Sequence, residues 1–169
     1  MKGDKEMDKE IEVLTQYMEL LMNLSKLHKK LYEGRHIAVP TMFSEQICRK
    51  LLGLESIKGR NVDAVDGSGN KYEIKGTSGT KGTTTINIHQ SAKYLIWIYF
   101  DFDIEKIIIK EVDYENAKVV VKKGDDRTRQ PITLSQISGW RLKVKINMNL
   151  LGKVLQKKKD RKKICIKRF

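Results

Sequence analysis

The sequence contains little cysteine, histidine or proline, and it has no long run of apolar residues. Among its 169 residues are two cysteines, Cys48 and Cys165, and neither lies at zinc-ligand spacing from another cysteine or a histidine. No stretch approaches the roughly 18 apolar residues of a membrane-spanning helix. The opening residues, MKGDKEMDKE, are too acidic and polar for a signal peptide. These absences argue against a disulfide framework, a zinc site and a membrane span, and they predict a cytoplasmic protein with reduced thiols.

Two further absences narrow the chemistry. The sequence has no glycine-rich nucleotide fingerprint and no phosphate-binding loop motif, so we expect no nucleotide cofactor. The three histidines are scattered at positions 28, 36 and 89, which argues against a histidine-based nuclease site.

Positive charge is what the sequence has in excess. It carries 34 Lys and Arg against 21 Asp and Glu, a formal net charge of +13. Such an excess attracts polyanions and speeds their association, so nucleic acid is the expected partner. A lysine-rich surface kept for solubility is the alternative. A hydrophobic content of 40% predicts one folded domain over residues 1–169.

Apolar periodicity predicts three helices. A stripe at three- and four-residue steps indicates a helix over residues 8–33, ended by Gly34. Pro40 and Gly53 bracket a second helix at 41–52, and a third is predicted at 149–158. The residues of the first stripe are Ile11, Leu14, Met18, Leu21, Leu24, Leu27 and Leu31.

Alternating and apolar runs predict strands between and after these helices. Residues 57–65 and 71–75 form a predicted hairpin around the turn-rich segment 66–70. The run 94–100 is apolar almost throughout, as in a central strand covered on both faces. The fold class is therefore α/β or α+β, with a mixed central sheet flanked by helices. Other predicted features are strands at 83–89, 104–112 and 117–122, a polar loop at 123–131, a helical turn beginning at Thr133 or Ser135, and a short β-like piece at 164–166.

The hairpin carries the residues that predict chemistry. Residues two apart in a strand share a face, so Glu73 and Lys75 point the same way while Ile74 points toward the core. Asp63 lies on the preceding strand and comes alongside Glu73 if residues 66–70 make the turn. Two carboxylates and an ammonium group at one spot suit Mg²⁺-dependent phosphodiester hydrolysis, because Mg²⁺ takes one or two carboxylates and keeps positions for water and phosphate.

The acidic-x-Lys pattern is weak when it stands alone. A Glu73 and Lys75 pair on a solvated strand face is the ordinary alternative, and Asp160-Arg161-Lys162 in the basic tail matches the pattern as well. The signal gains weight from Asp63 before the turn and from an acid on the preceding helix.

Residues 44–77 read SEQICRKLLGLESIKGRNVDAVDGSGNKYEIKGT. This segment resembles the nuclease core of the PD-(D/E)xK superfamily, especially small type II restriction endonucleases. The resemblance implies that Asp63 and Glu73 are metal ligands together with the backbone carbonyl of Ile74, that Lys75 is the catalytic lysine, and that the cofactor is Mg²⁺, replaceable by Mn²⁺. Glu45 takes the place of the family's helix glutamate, although its position near the helix start also favours the helix dipole.

The segment departs from the family pattern at one position and leaves a second ligand assignment open. Val62 stands where the superfamily name implies proline. Asp66 is a rival for the role of Asp63, but it belongs to the predicted turn, where aspartate has a backbone-capping role.

Loops and basic segments supply predicted DNA contacts. The small and hydroxyl-rich segment after Lys75 suits a phosphate backbone, although an ordinary β-connection would look the same. Arginine and glutamine in the 123–131 loop suit guanine and adenine edges, although a salt-bridged surface turn is an equal alternative. The predicted contacts are Thr77, Ser78, Thr80, Lys81, Arg127, Arg129, Gln130, Arg141 and Lys143, with Lys157, Lys158, Lys159, Arg161, Lys162 and Lys163 as phosphate neutralisers.

The resemblance implies a type II restriction endonuclease that cuts double-stranded DNA as a homodimer, with a site of the GCNGC type as one expectation. Two subunits give two cuts and match a palindromic site. We divide the chain into an N-terminal helical part (1–40), a catalytic core (41–122) and a DNA-contacting part (123–169). We expect the first helix to pack on the core or on a second subunit, where it would form part of the dimer interface. The alternatives are a Holliday-junction resolvase or repair nuclease with the same core, and a non-enzymatic basic DNA-binding protein.

Overall fold

A five-stranded mixed sheet forms the centre of the computed structural model, which describes residues 2–57, 59, 62–121 and 127–166. The helices are α1 (Lys2–Leu31), α2 (Thr41–Leu52), α3 (Tyr114–Val119) and α4 (Leu151–Ile166), with 3₁₀ turns at Leu134–Gln136 and Met148–Leu150. The strands are β1 (Ala64–Val65), β2 (Lys71–Thr77), β3 (Thr83–Asn87), β4 (Tyr94–Asp101), β5 (Lys106–Asp113), β6 (Arg129–Thr133) and β7 (Arg141–Asn147).

The strand order in the central sheet is β1-β2-β4-β5-β7. Strands β2 and β4 run parallel, and the other neighbouring pairs run antiparallel. Strands β3 and β6 form a separate antiparallel ribbon. The mixed central sheet confirms the predicted fold class.

Strand β4 is covered on both faces, as its apolar sequence predicted. Ile96 and Ile98 lie in a core shared with α1, α2 and α4. Leu95 and Trp97 lie in a second core on the other face, together with residues of the β3–β6 ribbon and α3. Burying one such aliphatic side chain stabilises the fold by about 1.5–3 kcal/mol, so this strand anchors both layers.

Helix α2 begins and ends where its flanking residues predict. It starts at Thr41 after Pro40 and ends at Leu52, and Gly53 adopts a left-handed conformation with φ 72° that closes the helix. Its buried side includes Ile47, Cys48 and Leu51, so Cys48 is a core residue.

Helix α1 starts earlier than predicted and buries only the N-terminal part of the predicted stripe. Ile11, Leu14, Met18 and Leu21 are buried, but the buried line then continues through Ser25 rather than through leucines. The C-terminal leucines of the predicted stripe are exposed, because the helix presents a neighbouring face to the core. These exposed residues are Leu24, Leu27 and Leu31.

The predicted strand at 117–122 is wrong. Residues 114–119 form helix α3, and residue 122 lies outside the described residues. Tyr114 and Ala117 are both buried, and their three-residue spacing places them on one side of a helix. Packing of this apolar side against the sheet outweighs the β propensity of the valines that follow.

Two strands lie where none was predicted. Strand β6 occupies the second half of the predicted 123–131 loop, whose residues 123–126 lie outside the described residues. Strand β7 follows the alternation Leu142, Val144, Ile146, a period-two signal that the basic residues between them concealed.

Two other predicted strands also differ from the structure. The predicted strand at 57–65 is reduced to Ala64–Val65 plus a bridge between Glu55 and Val65, and residues 58, 60 and 61 lie outside the described residues. The β-like piece at 164–166 is wrong, because α4 continues to Ile166. Among the described residues, no helix is both long and apolar enough to cross a membrane.

Candidate active site

The β1–β2 hairpin forms as predicted and sets the register of the candidate catalytic residues. Ala64 lies opposite Tyr72, and the Asp63 amide donates to the Tyr72 carbonyl at 3.0 Å. This register places Asp63 beside Glu73 on the neighbouring strand. The carboxylate of Asp63 accepts a hydrogen bond from the Ile74 amide at 2.7 Å, which ties its side chain to β2.

Asp66 has the turn role that distinguished it from Asp63. Its carboxylate accepts hydrogen bonds from the side chain and amide of Asn70, from the Ser68 amide and from the Tyr72 hydroxyl. These donors, led by the Asn70 side chain, lower the pKa of Asp66 to about 2. The carboxylate oxygens of Asp66 are therefore occupied by donors in and beside the turn.

Two hydrogen-bond donors hold the carboxylate of Glu73. Glu73 lies on the face of the central sheet opposite the core that contains α2. Lys75 Nζ lies 2.6 Å from Glu73 Oε1, and Gln90 Nε2 lies 2.6 Å from Glu73 Oε2. The residue is only 8% exposed. Burial raises the pKa of Glu73 above its usual value; the Lys75 ammonium opposes this rise and the charge on Asp63 adds to it.

A close approach between α2 and β2 brings Glu45 to the same site. A Cβ atom built on Gly76 would lie 2.3 Å from Ser44 Oγ, so only glycine lets the two elements pack this tightly. Glu45 follows Ser44 and forms an ion pair with Arg49 at 3.5 Å. Burial, and then the negative charge on Asp63, raise the pKa of Glu45.

These side chains line one cavity of about 270 Å³ between α2, the hairpin and the β3–β6 ribbon. It contains all four predicted catalytic residues, and Arg129 from the predicted DNA contacts. Five further polar lining residues were not named as site residues by the sequence. Thr84 and Thr85 belong to the hydroxyl-rich segment after Lys75, Thr41 begins the helix that carries Glu45, and a polar side chain directly after a strand is the only hint for Gln90. The five are Thr41, Thr84, Thr85, Asn87 and Gln90.

The other predicted DNA contacts near β2 lie in different surroundings. Thr77 accepts a hydrogen bond from Trp97 Nε1 at 2.8 Å, and the buried Ser78 hydroxyl donates to the Ile37 carbonyl. Thr80 and Lys81 line a neighbouring cavity of about 440 Å³. Thr80 and Lys81 are therefore exposed to solvent, whereas Ser78 is buried in the fold.

Three predicted contacts disagree with their positions in the structure. Gln130 is 1% exposed, and its side-chain amide donates to the Arg127 carbonyl at 3.0 Å, so it does not present an edge to a base. Arg141 and Lys143 both contact Glu111, whose strand register with Ile96 places it on the α2 side of the sheet. That face is opposite to Glu73.

The phosphate-neutralising role predicted for Lys159 is also at odds with its position. It is 5% exposed and ion-paired with Asp8, so it joins α4 to α1. Its neighbours Lys157 and Lys158 are exposed. Side chains from residue 162 onward lie outside the described residues, including those of Lys162 and Lys163.

A family comparison identifies the class of protein to which this fold belongs. The family described as Bsp6I restriction endonuclease matches residues 3–153, nearly the whole chain. The chain belongs to the Bsp6I restriction endonuclease family. As a member of this family it is a type II restriction endonuclease, an endodeoxyribonuclease with DNA as its partner. A comparison with curated proteins found no match.

Type II restriction endonucleases generally use divalent metal ions, and the donor set of this Bsp6I-family chain suits one. Among the described residues, no group of three or more His, Cys, Asp or Glu side chains is arranged to hold a metal. Two carboxylates, those of Asp63 and Glu73, line the cavity, and Ile74 lines it beside them. Mg²⁺ accepts so small a protein donor set because it retains several waters. Burial is the main cause that raises the pKa of Glu45 and of Glu73, and the charge on Asp63 adds to both.

Proposed function

We propose that this enzyme is a Mg²⁺-dependent nuclease of the PD-(D/E)xK type that hydrolyses double-stranded DNA at a short specific site as a homodimer. The supporting observation is the single cavity that Asp63, Glu73 and Lys75 line, in which Glu73 is held between Lys75 and Gln90. Duplex DNA in the cytoplasm would be its substrate, Mn²⁺ would substitute for Mg²⁺, and a site of the GCNGC type is the sequence we would test first.

The roles of the residues follow from their chemistry. Asp63, Glu73 and the Ile74 carbonyl would hold the metal. When bound, the ion supplies a Lewis acid and lowers the pKa of water. Lys75 orients a water molecule at the cavity and offsets negative charge on the phosphate in the transition state. Glu45 adds a carboxylate from α2 at the edge of the same cavity.

The cavity walls suggest how DNA would lie. Arg129 from β6 lines the same cavity as the carboxylates, where a guanidinium group would bind a phosphate. Thr80 and Lys81 stand beside the next cavity along β2, where they would contact the neighbouring backbone. Arg127 is exposed just before β6 and is the remaining candidate for base contacts. The catalytic core and the DNA-contacting part would therefore share this face.

A Mg²⁺ digest of a long DNA with sequencing of the cut ends tests the proposal. We expect discrete fragments with one short sequence at every end. Lys75→Ala should abolish cleavage while DNA binding persists. Lys71→Ala is the matched control, because Lys71 is exposed at the start of the same strand and lines no part of the cavity.

Three outcomes of the cleavage and binding measurements would contradict the proposal. Cleavage of four-way junctions alone would indicate a resolvase. Binding without any divalent-metal-dependent cutting would indicate a binding protein. Full activity of both Asp63→Ala and Lys75→Ala would place the active site elsewhere.

A further inference from the structure

Helix α1 carries an exposed apolar stripe that the core does not use. Its members are 39–74% exposed, although each is a large apolar side chain. Soluble monomers rarely expose a continuous apolar patch of this extent, and such patches mark interaction surfaces. We call this set the α1 stripe: Val13, Tyr17, Leu20, Leu24, Leu27 and Leu31.

The spacing of the α1 stripe is that of a coiled-coil seam. Its members recur at steps of four, three, four, three and four residues, which is the a/d pattern of a heptad. The buried side of α1 uses a different pair of heptad positions, beginning at Ile11 and Leu14. One side of the helix therefore packs on its own core, and the adjacent side has the pattern that receives a second helix. At 1.5 Å per residue the α1 stripe is about 27 Å long.

We propose that the α1 stripe is the docking surface for α1 of a second copy of this chain, in antiparallel orientation. This proposal gives a surface to the homodimer in the proposed function and therefore rests on it. The charges along the outer flank select the occupant. Alongside the α1 stripe this flank carries Glu12 and Glu19 toward its N-terminal end and Lys26 and Lys30 toward its C-terminal end.

An antiparallel second copy places the acidic end of each stripe beside the basic end of the other, whereas a parallel copy places like charges together. The helix flank is thus complementary to itself when it is reversed, as a two-fold interface requires. Lys26 already pairs with Glu105 at 2.9 Å within the chain, so the complementarity is strongest between Lys30 and the N-terminal acids.

A two-fold axis near residue 22 would fit the stripe onto itself. Leu20 would lie against Leu24 of the second copy, and Tyr17 against Leu27, so every member finds an apolar partner. The surface also extends beyond α1. Met42 is 82% exposed and precedes Phe43, whose ring centroid lies 4.6 Å from that of Tyr17. Met42 adds apolar area toward the roughly 800 Å² per partner of a standard interface.

Sedimentation of the full chain without DNA or metal tests the surface. We expect a dimer at micromolar concentration. The double variant Leu20→Glu/Leu24→Glu should sediment as a monomer, with a dissociation constant raised at least about 100-fold. Val119→Glu is the matched control, because Val119 is 81% exposed on α3, outside the α1 stripe. Circular dichroism should show unchanged helix content in both variants.

Disulfide cross-linking tests the orientation. Asn23 and Gln16 are exposed residues on the same flank, one heptad apart. In an antiparallel pair Asn23 meets Asn23 of the second copy near the axis, whereas Gln16 meets Lys30. Asn23→Cys should therefore cross-link two chains under mild oxidation, and Gln16→Cys should not, relative to the unsubstituted chain with its native cysteines.

A monomeric parent chain would overturn the proposal, and so would a Leu20→Glu/Leu24→Glu variant that still dimerises. Equal cross-linking of Asn23→Cys and Gln16→Cys would overturn the antiparallel orientation. No DNA is present in these measurements. If they overturn the α1 interface, the cleavage proposal is still decided by the digest.

Discussion

At the scale of single residues, the site depends on how Glu73 is held. One oxygen accepts from Lys75 and the other from Gln90, each at 2.6 Å. Lys75 and Glu73 are neighbours on one strand face, so their pairing is local. Gln90 arrives from the segment between β3 and β4, and it fixes the carboxylate from the other side.

Gln90→Ala should lower cleavage about 10- to 100-fold, the usual effect of removing a group that orients a metal ligand. Because the variant loses orientation rather than a ligand, the Mg²⁺ concentration for half-maximal rate should rise, and saturating Mg²⁺ should recover part of the rate. Cleavage rates across a Mg²⁺ titration measure both effects. His89→Ala, an exposed neighbour, should behave as the parent does. Unchanged Mg²⁺ dependence in Gln90→Ala would rule out a positioning role.

Asp66 should influence stability with pH rather than catalysis. Its pKa is lowered to about 2 from about 3.9 in an unfolded chain. A lowered carboxyl pKa stabilises the folded state above the unfolded value, and this contribution is lost as pH falls from about 4 to about 2. Denaturant unfolding of Asp66→Asn should therefore show a smaller loss of stability across that window than the parent.

The same variant tests the choice between the two aspartates. Asp66→Asn should keep most of the cleavage activity at neutral pH, whereas Asp63→Asn should lose it. Asp160→Asn, an exposed change on α4, is the control for the pH comparison. Loss of cleavage in Asp66→Asn with normal unfolding would instead make Asp66 the ligand.

At the scale of secondary-structure elements, the contact between α2 and β2 brings Glu45 to the cavity. Gly76 is the position where the two elements meet, and Ser44 fills the space that a side chain would need. Helix α2 itself follows from its flanking Pro40 and Gly53, but its distance from β2 is set by this contact.

Gly76→Ala should push α2 away from β2, because the added methyl group would overlap Ser44. We expect a loss of about 1–3 kcal/mol in the free energy of unfolding, with reduced cleavage. Adding Ser44→Gly should recover part of both. Gly79→Ala is the matched control, since a Cβ there has no neighbour within 4 Å. If Gly76→Ala unfolds and cleaves as the control does, the close approach has no role.

At the scale of the whole molecule, the basic residues behind the net charge of +13 do not all have the same role. Lys157 and Lys158 are exposed on α4, while Lys159 is buried and pairs with Asp8 on α1. Adjacent lysines therefore have different roles. Lys157 and Lys158 are available to DNA, whereas Lys159 holds α4 against α1.

Lys157→Gln/Lys158→Gln should reduce the slope of log binding constant against log salt by about 2 if both residues neutralise phosphates. Lys159→Gln should leave the slope unchanged and lower the free energy of unfolding by about 1–3 kcal/mol, below the cost for a fully buried pair because Asp8 is exposed. Salt titrations of DNA binding and denaturant unfolding separate the two. A slope change in Lys159→Gln would contradict this division.

The sequence by itself determined the parts of the enzyme that depend on near neighbours. The hairpin follows from the turn residues around Asp66, and the shared face of Glu73 and Lys75 follows from the two-residue period of a strand. Helix α2 follows from Pro40 and Gly53. Each of these results needs only contacts within a few residues, so the chain pattern is sufficient.

Tertiary structure decided what depends on contacts distant in sequence. Gln90 and Arg129 reach the cavity because the β3–β6 ribbon packs over the central sheet, and Gln130 is buried in the same layer. Which leucines of α1 are covered depends on the rotation of that helix against the sheet, and an apolar stripe alone does not specify this angle. Long-range packing therefore assembled the cavity walls and left the α1 stripe exposed.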